Sequence, residues 1–317
     1  MRKLLLLTLL PLYLWADAHL FVFHRFDDTK HPSTNTSTKT LRAEFEYLKK
    51  NNYKVISLKQ LHSALKNGEA ISDKWVVLTI DDSFKSFYKN GLPLFKEYNY
   101  PFTLFVYVQA TVGKYGDYMS WEQIRESAHY GEIGFHSYAH PHLVSMSNLE
   151  IYRDNKKGLD IMRKELGYRP KYYAYPYGEY DHRIREQLEL FSFDLIINQN
   201  AGAVDMQSDP HDLDRTALTG ANNIKVKLRT KTLPTTWINP KGWPKNGKIT
   251  TLKATLPKTL KKIEYYVSGY GWKRATLKGG KLALTLNKKL KNRRTRIFLK
   301  SGHRQSSIIL VNPKENK

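Results

Sequence analysis

The side chains best suited to chemistry in this chain sit just past apolar runs. Trp75–Ile80 leads into Asp81-Asp82, Ile133–Phe135 into His136-Ser137-Tyr138-Ala139-His140, Leu20–Phe23 into His24, and Tyr172–Tyr175 into Pro176-Tyr177-Gly178. Two imidazoles and a carboxylate make a facial ligand set that leaves positions open for water and substrate. Asp82, His136 and His140 are therefore the candidate ligands of one divalent metal. Zinc is the first expectation, with cobalt, nickel and iron(II) as alternatives. Neither an H-x-x-x-H nor an Asp-Asp pair says much alone, and Asp27-Asp28 is a second such pair. Their shared placement after apolar runs is what joins them. A hydrolytic centre of this kind also needs a base and an acid. Asp81, next to a ligand, is the natural base. His24, at the end of the first run, is either the acid or a capping or core histidine.

Such scattered residues meet only if the fold gathers the ends of the strands. In a barrel of parallel strands, the C-terminal ends open on one face. Seven strand-like runs precede residue 200: Leu20–Phe23, Val55–Ser57, Trp75–Ile80, Phe102–Val108, Ile133–Phe135, Tyr172–Tyr175 and Asp194–Ile197. Amphipathic stretches separate them. Ser120-Trp121-Glu122-Gln123 and Ser147-Asn148-Leu149-Glu150 have the form of a capping box at a helix start. Leu58, Leu61 and Leu65 repeat at helical spacing, with Gly68 as the stop. The alternation predicts a parallel sheet covered by helices and closed as an incomplete barrel.

Charge divides the chain. Residues 217–317 hold 19 Lys and 6 Arg against only Glu264 and Glu315, so they carry the whole net charge of +23. The rest has 27 basic and 27 acidic side chains. The break predicts a domain boundary, with the proline-containing stretch 226–240 as linker. Beyond it, Ile263–Val267 and Leu282–Leu286 alternate with period two, and Arg296–Leu299 and Ser307–Val311 are further short runs. Gly269, Gly271, Gly279 and Gly280 punctuate them. The expectation for 241–317 is a small antiparallel β-sandwich. At the other end, Arg2 and Lys3, the apolar run 4–15 and Ala16-Asp17-Ala18 read as a secretory signal over residues 1–18. The run is too short for a membrane span, which needs about 20 apolar residues. With no cysteine anywhere, thiolate ligands and disulfides are excluded. The protein is expected to be exported, to the periplasm or beyond the cell.

Taken together, Asp81-Asp82, His136-Ser137-x-x-His140 and Pro176-Tyr177-Gly178 resemble the motifs of the polysaccharide deacetylases of carbohydrate esterase family 4. The resemblance covers roughly residues 19–220 and implies a distorted (β/α)7-type barrel over 19–225. It implies Asp81 as base, Asp82, His136 and His140 as metal ligands, and Ser137 in the hydroxyl position. Two features depart from the commonest pattern. An Arg usually stands two residues before the Pro-Tyr-Gly turn, where this chain has Ala174. The usual late catalytic histidine is also missing, with His211 a weak rival. Both departures resemble a permuted subgroup that deacetylates poly-N-acetylglucosamine, in which a Tyr/Phe-His pair on the first strand supplies the histidine. Phe23-His24 matches that pair. Arg215 is the candidate partner of Asp81, against the alternative of a surface salt bridge.

The resemblance further implies a reaction. Asp81 accepts a proton from water, the backbone N–H of Tyr177 holds the oxyanion, and His24 protonates the leaving sugar amine. Tyr138, Pro176 and Tyr177 are the candidate substrate contacts. The partner expected is an N-acetylated polysaccharide. An O-acetyl esterase, a peptidoglycan deacetylase and a non-catalytic glycan-binding protein are the competing readings. The basic region is expected to dock on an acidic polymer or anionic surface, apart from the active site. No specific nucleic acid is predicted, nor a membrane span in the mature chain.

Overall fold

The computed structural model describes residues 16–220 and 223–314. Eight strands make the first sheet: β1 (His19–Phe23), β2 (Lys54–Val55), β3 (Trp75–Ile80), β4 (Thr103–Val106), β5 (Glu132–Phe135), β6 (Tyr172–Ala174), β7 (Leu195–Ile197) and β8 (Thr216–Ala217). All pairings are parallel, in the order β8-β1-β3-β4-β5-β6-β7, with β2 on β3. The sheet curls into a half-barrel. Leu213 pairs with Ile197 at one edge and Thr216 with Phe21 at the other. The segment from Leu213 to Ala217 thus spans the gap between the two edges. It was not among the strands expected from sequence, because two residues are too few to show a period.

Helices α1 (Thr38–Lys50), α2 (Leu58–Asn67), α3 (Leu92–Tyr98), α4 (Trp121–Ser127), α5 (Asn148–Leu166) and α6 (His182–Glu189) cover the outside. Both capping boxes form, with Ser120 and Ser147 accepting from the N3 backbone and Gln123 and Glu150 reaching back. Gly68 ends α2 at φ 68°, a left-handed conformation that glycine adopts without steric penalty. Between sheet and helices lies a phenylalanine-rich core in which Phe45, Phe87, Phe95 and Phe102 meet edge to face. A second cluster, with Leu20, Val77, Phe105, Tyr172, Ala174, Leu195, Ile197 and Leu213, fills the inside of the half-barrel.

The remaining chain forms two antiparallel layers over an aliphatic core. One contains β9 (Lys231–Thr232), β12 (Lys262–Val267), β13 (Gly271–Thr276), β15 (Arg294–Ser301) and β16 (Arg304–Val311), ordered β9-β16-β15-β12-β13; only the short β9 pairs parallel. The other has β10 (Thr236–Asn239), β11 (Lys248–Thr255) and β14 (Lys281–Lys289). The stretch read as a linker, 226–240, is therefore largely part of this unit: β9 pairs with β16 and β10 with β11. Its prolines lie outside the paired residues, where they remove no ladder hydrogen bond.

The two units share a packed interface. Ile309 and Val311 of β16 join the phenylalanine-rich cluster of the barrel. Gln305 Nε2 and Ser307 Oγ donate to the Ala201 carbonyl, at 2.9 and 3.2 Å. Lys231 meets Asp17 and Asp73. Most of the signal-peptide reading lies outside the described residues. Within them, Asp17 is buried, its N–H bonded to Asp73 Oδ1, and Ala18 pairs with Val204. Among the described residues no helix is long and apolar enough to cross a membrane.

Candidate metal centre and active site

Strand alternation aims the site residues. Leu20, Val77, Tyr172 and Ala174, Leu195 and Ile197, and Leu213 point into the half-barrel. Successive side chains alternate between faces, so stepping by two keeps the same face. Two steps take Leu20 to His24 and Val77 to Asp81, and one step takes Ala174 to Pro176, Ile197 to Gln199 and Leu213 to Arg215. The inward face of each strand thus ends in a polar or turn residue at the C-terminal rim.

Asp82 Oδ1 lies 3.1 Å from His140 Nε2 and 3.4 Å from His136 Nε2, and the two Nε2 atoms are 3.2 Å apart. Tetrahedral coordination with bonds of 2.0–2.1 Å places ligand atoms about 3.3 Å from one another. The three atoms therefore already stand at the corners of such a site, and these residues could hold a metal ion. His136 Nδ1 is 2.7 Å from the Ala174 carbonyl. A carbonyl only accepts, so Nδ1 carries the proton and Nε2 keeps its lone pair for the site. The loop between the histidines is pinned twice. Asp154 on α5 accepts from the N–H groups of Tyr138 and Ala139, each at 2.9 Å, and Ser137 Oγ accepts from His140 N–H.

Asp81 is fully buried and clamped by Arg215, with Nη1–Oδ1 and Nη2–Oδ2 both 2.7 Å. Burial pushes its carboxyl up, but Arg215, His136 and His24 outweigh burial and hold it below the usual carboxylate range. Arg215 is itself fully buried. Its Nη1 also donates to Thr79 Oγ1, and its Nε to the Asn198 carbonyl. Asn198 in turn is fixed through its amide by Asp212 and Asp214. Arg215 is thus no surface salt bridge. It reaches Asp81 from the segment that bridges the two edges of the sheet.

His24 lies close enough to feel Asp82, Asp81 and Arg215, and its Nδ1 is buried without a hydrogen-bond partner. Burial pulls its imidazole below the usual value, opposed by the two carboxylates. His211 bonds the Phe193 carbonyl and stays away from the cluster. Tyr177 takes φ 58°, and its ring packs on His140 at 4.4 Å and on His142 at 4.2 Å. Pro176 is buried beneath it. Tyr138 packs on the barrel core, with Lys157 over its ring. Asp82, Ser83, Ser137, His140 and Tyr177 are five of the eleven non-glycine residues at positive φ among those described. Each such residue costs about 1–3 kcal/mol, and their gathering in three loops at one rim is typical of a functional site.

Three contributors were missed from sequence. Gln199 Nε2 lies 3.4 Å from Asp81 Oδ2. His142 Nδ1 meets Glu179 Oε2 at 2.8 Å, behind the Tyr177 ring. The third comes from the sandwich. Arg294 Nη2 donates to the Tyr177 carbonyl at 2.5 Å, its Nε is 3.6 Å from Glu179 Oε1, and Arg296 Nη1 donates to the Gln199 carbonyl at 3.0 Å. This corrects the expectation that the basic unit stands apart from the site. The alternating arginines of 294–296 were visible in sequence, but only the docking of the two units shows which face they share.

Comparison with known proteins agrees with the barrel. Residues 68–196 match the polysaccharide deacetylase family, and the match falls within the barrel. The chain is similar to the poly-beta-1,6-N-acetyl-D-glucosamine N-deacetylase of Escherichia coli (strain K12), at 25% identity, covering 55% of this chain and 32% of that protein. It therefore spans under a third of the length of that relative. Among solved structures it is similar to the Streptococcus pyogenes deacetylase PplD in complex with acetate, with a TM-score of 0.61 at 21% identity, covering 65% of this chain and 94% of that one. It is also similar to IcaB from Ammonifex degensii, with a TM-score of 0.57 at 23% identity, covering 64% and 92%. These two likenesses show the fold. The chain carries a polysaccharide deacetylase domain.

Proposed function

We propose that this deacetylase domain removes N-acetyl groups from a polymer of N-acetylglucosamine outside the cytoplasm, using a metal held by Asp82, His136 and His140. The observation that carries the reading is the buried Asp81–Arg215 pair beside three ligand atoms at 3.1–3.4 Å spacing. A divalent ion held by these three residues, zinc first, would supply Lewis-acid polarisation of the acetamide carbonyl and of water. Everything else falls to this chain's side chains. Asp81, kept ionised by Arg215, takes the proton from the attacking water. The Tyr177 N–H holds the oxyanion that forms on the carbonyl carbon. His24 donates a proton to the nitrogen as the C–N bond breaks, so that an amine leaves and acetate remains. The partly exposed Tyr177 ring is the wall against which the sugar lies, with Pro176 buried behind it, while Tyr138 packs on the barrel core. The likeness to the Escherichia coli enzyme supports the substrate class.

Acetate release from N-acetylglucosamine oligomers, measured together with bound metal, tests this. Chelation should abolish release. Asp82→Ala should lose the metal. Asp81→Asn should keep metal and lose turnover. His24→Ala should keep metal and fold while turnover falls about 10²–10⁴-fold, the usual worth of one acid–base group. Release that survives chelation, or undiminished metal in Asp82→Ala, would overturn the proposal.

A further inference from the structure

The five-stranded sheet of the sandwich has one face on its own core and one turned outward. Ile263, Val267, Ile297 and Leu299 belong to the core cluster. By alternation the other face carries Arg294, Arg296 and Phe298 on β15, Tyr266 on β12 and Trp272 on β13. Register confirms the row: Tyr266 is directly opposite Phe298 on one side and Trp272 on the other. The three rings touch, with centroids 5.4, 5.8 and 6.1 Å apart.

This face changes role from strand to strand. On β16 it is sealed against the barrel, since Ile309 and Val311 enter the barrel core. On β15 its arginines hold the Tyr177 and Gln199 loops at the rim of the metal centre. Beyond them it is uncovered, and Trp272 is 51% exposed. Phe298 follows Arg296 by two residues on the same face, a step of about 7 Å along a strand. An aromatic surface therefore begins beside the loops of the catalytic centre and runs outward from it. Touching aromatic rings at a surface, with Trp272 exposed and Tyr266 and Phe298 half-buried beside it, mark a place where a ligand with an apolar face sits.

We propose that Phe298, Tyr266 and Trp272 form a second subsite, which takes pyranose rings of the neutral N-acetylhexosamine polymer whose acetamides react at the metal centre. The proposal rests on the glycan reading above and adds to it a binding surface outside the barrel. A sugar ring offers a flat C–H face to an aromatic ring and keeps its hydroxyls and acetamides in water. The surroundings favour a neutral chain over its product. Removing an acetyl group leaves an amine that protonates, and residues 217–317, which include the sandwich, carry the whole +23 of the protein. Like charges repel, so the deacetylated stretch is released from a surface that holds the acetylated one.

Full-length wild-type protein and a Trp272→Ala/Tyr266→Ala variant are compared for binding and deacetylation of N-acetylglucosamine dimer and hexamer. The variant should bind hexamer about tenfold more weakly, the order of one stacking contact. Dimer kinetics, bound metal and Tm should be unchanged, and Trp272→Phe should restore most hexamer binding. Wild-type binding of hexamer should be insensitive to salt and stronger than that of fully deacetylated hexamer. Unchanged hexamer affinity in the variant overturns the subsite, as does equal loss on dimer and hexamer. Salt-sensitive binding of an acidic polymer alone replaces it with electrostatic docking. Failure of the wild type to release acetate from any oligomer sinks the glycan reading instead, before any variant is made.

Discussion

Every charged side chain that the described residues bury lies in the barrel: Asp17, Arg25, Glu44, Asp81, Asp154, Glu179, Asp205 and Arg215. The sandwich, with almost all the excess charge, buries none to that degree and keeps an aliphatic core. The two units thus treat charge in opposite ways. Taking a charge out of water costs several kcal/mol unless partners replace the solvent. The barrel accepts that cost chiefly around the rim, where a carboxylate must stay ionised and a loop must stay fixed. In the sandwich the cost of charge is mutual repulsion at the surface, and Arg294 and Arg296 are drawn partly inward where they meet the barrel. Buried charge therefore maps the chemistry better than abundant charge does.

The largest break in that contrast should come at Arg215. Arg215→Ala leaves Asp81 buried without its partner, which should cost about 3–5 kcal/mol of stability. Arg274→Ala removes an ion pair to Glu264 whose arginine is 85% exposed, and its effect should lie within about 1 kcal/mol. Urea unfolding of the two proteins makes the comparison. Because Arg215→Ala could lose activity simply by unfolding, Arg215→Lys is the second arm. It keeps the charge without the two-pronged grip, so turnover should fall at least 10²-fold at preserved fold. Equal stability of the two alanine variants would refute the contrast.

Glu44 tests the same idea where no chemistry is served. It lies on the buried face of α1, and its Oε2 has no hydrogen-bond partner. Burial raises its pKa from the ordinary 4.5 to about 8. The folded form therefore holds its proton more tightly than the unfolded chain. Its contribution is fully present below pH 4.5 and is lost as pH rises toward 8, where the cost reaches up to roughly 4 kcal/mol. Glu44→Gln should raise stability at pH 8, leave it nearly unchanged at pH 4.5, and leave turnover intact. A Tm gain of equal size at both pH values would show that Glu44 acts through packing rather than ionisation.

The candidate metal set and the alternating architecture are legible in sequence because each motif ends an apolar run. Asp81, Asp82, His136 and His140 need nothing beyond that placement. Arg215 carries little signal in sequence, since the strand that follows it, Thr216–Ala217, is two residues long and no period can show in it. Gln199 had a usable signal: it follows Ile197 by two residues and so continues the inward face of β7, as Asp81 continues that of β3. The parity rule that places one would have placed the other. The grip of Arg294 on Tyr177 had no local signal. It depends on the docking of the two units, which brings together residues 117 apart in the chain, and charge composition alone suggests a separate surface.

The smallest expected effect is at that joint, and it decides whether the two units are coupled in function. Arg294 fixes the Tyr177 carbonyl and approaches Glu179, which holds His142 behind the Tyr177 ring. This carbonyl and the N–H assigned to the oxyanion flank the same Tyr177 Cα, in successive peptide planes. Loosening the carbonyl should disturb the transition state more than substrate binding, and a shift of about 1 Å can cost up to 10²-fold in rate. Arg294→Ala should therefore lower kcat about ten- to a hundredfold with KM within about threefold, since binding shared by ground and transition states is little changed. Arg294→Lys should recover part of the rate, because an ammonium still donates to a carbonyl. Bound metal and Tm should match the wild type, since Ile309 and Val311 keep the interface packed. A rise in KM at unchanged kcat would make Arg294 a substrate contact. A fall in Tm with both constants unchanged would make it an interface bond only, and the catalytic site would then end at the barrel's own residues.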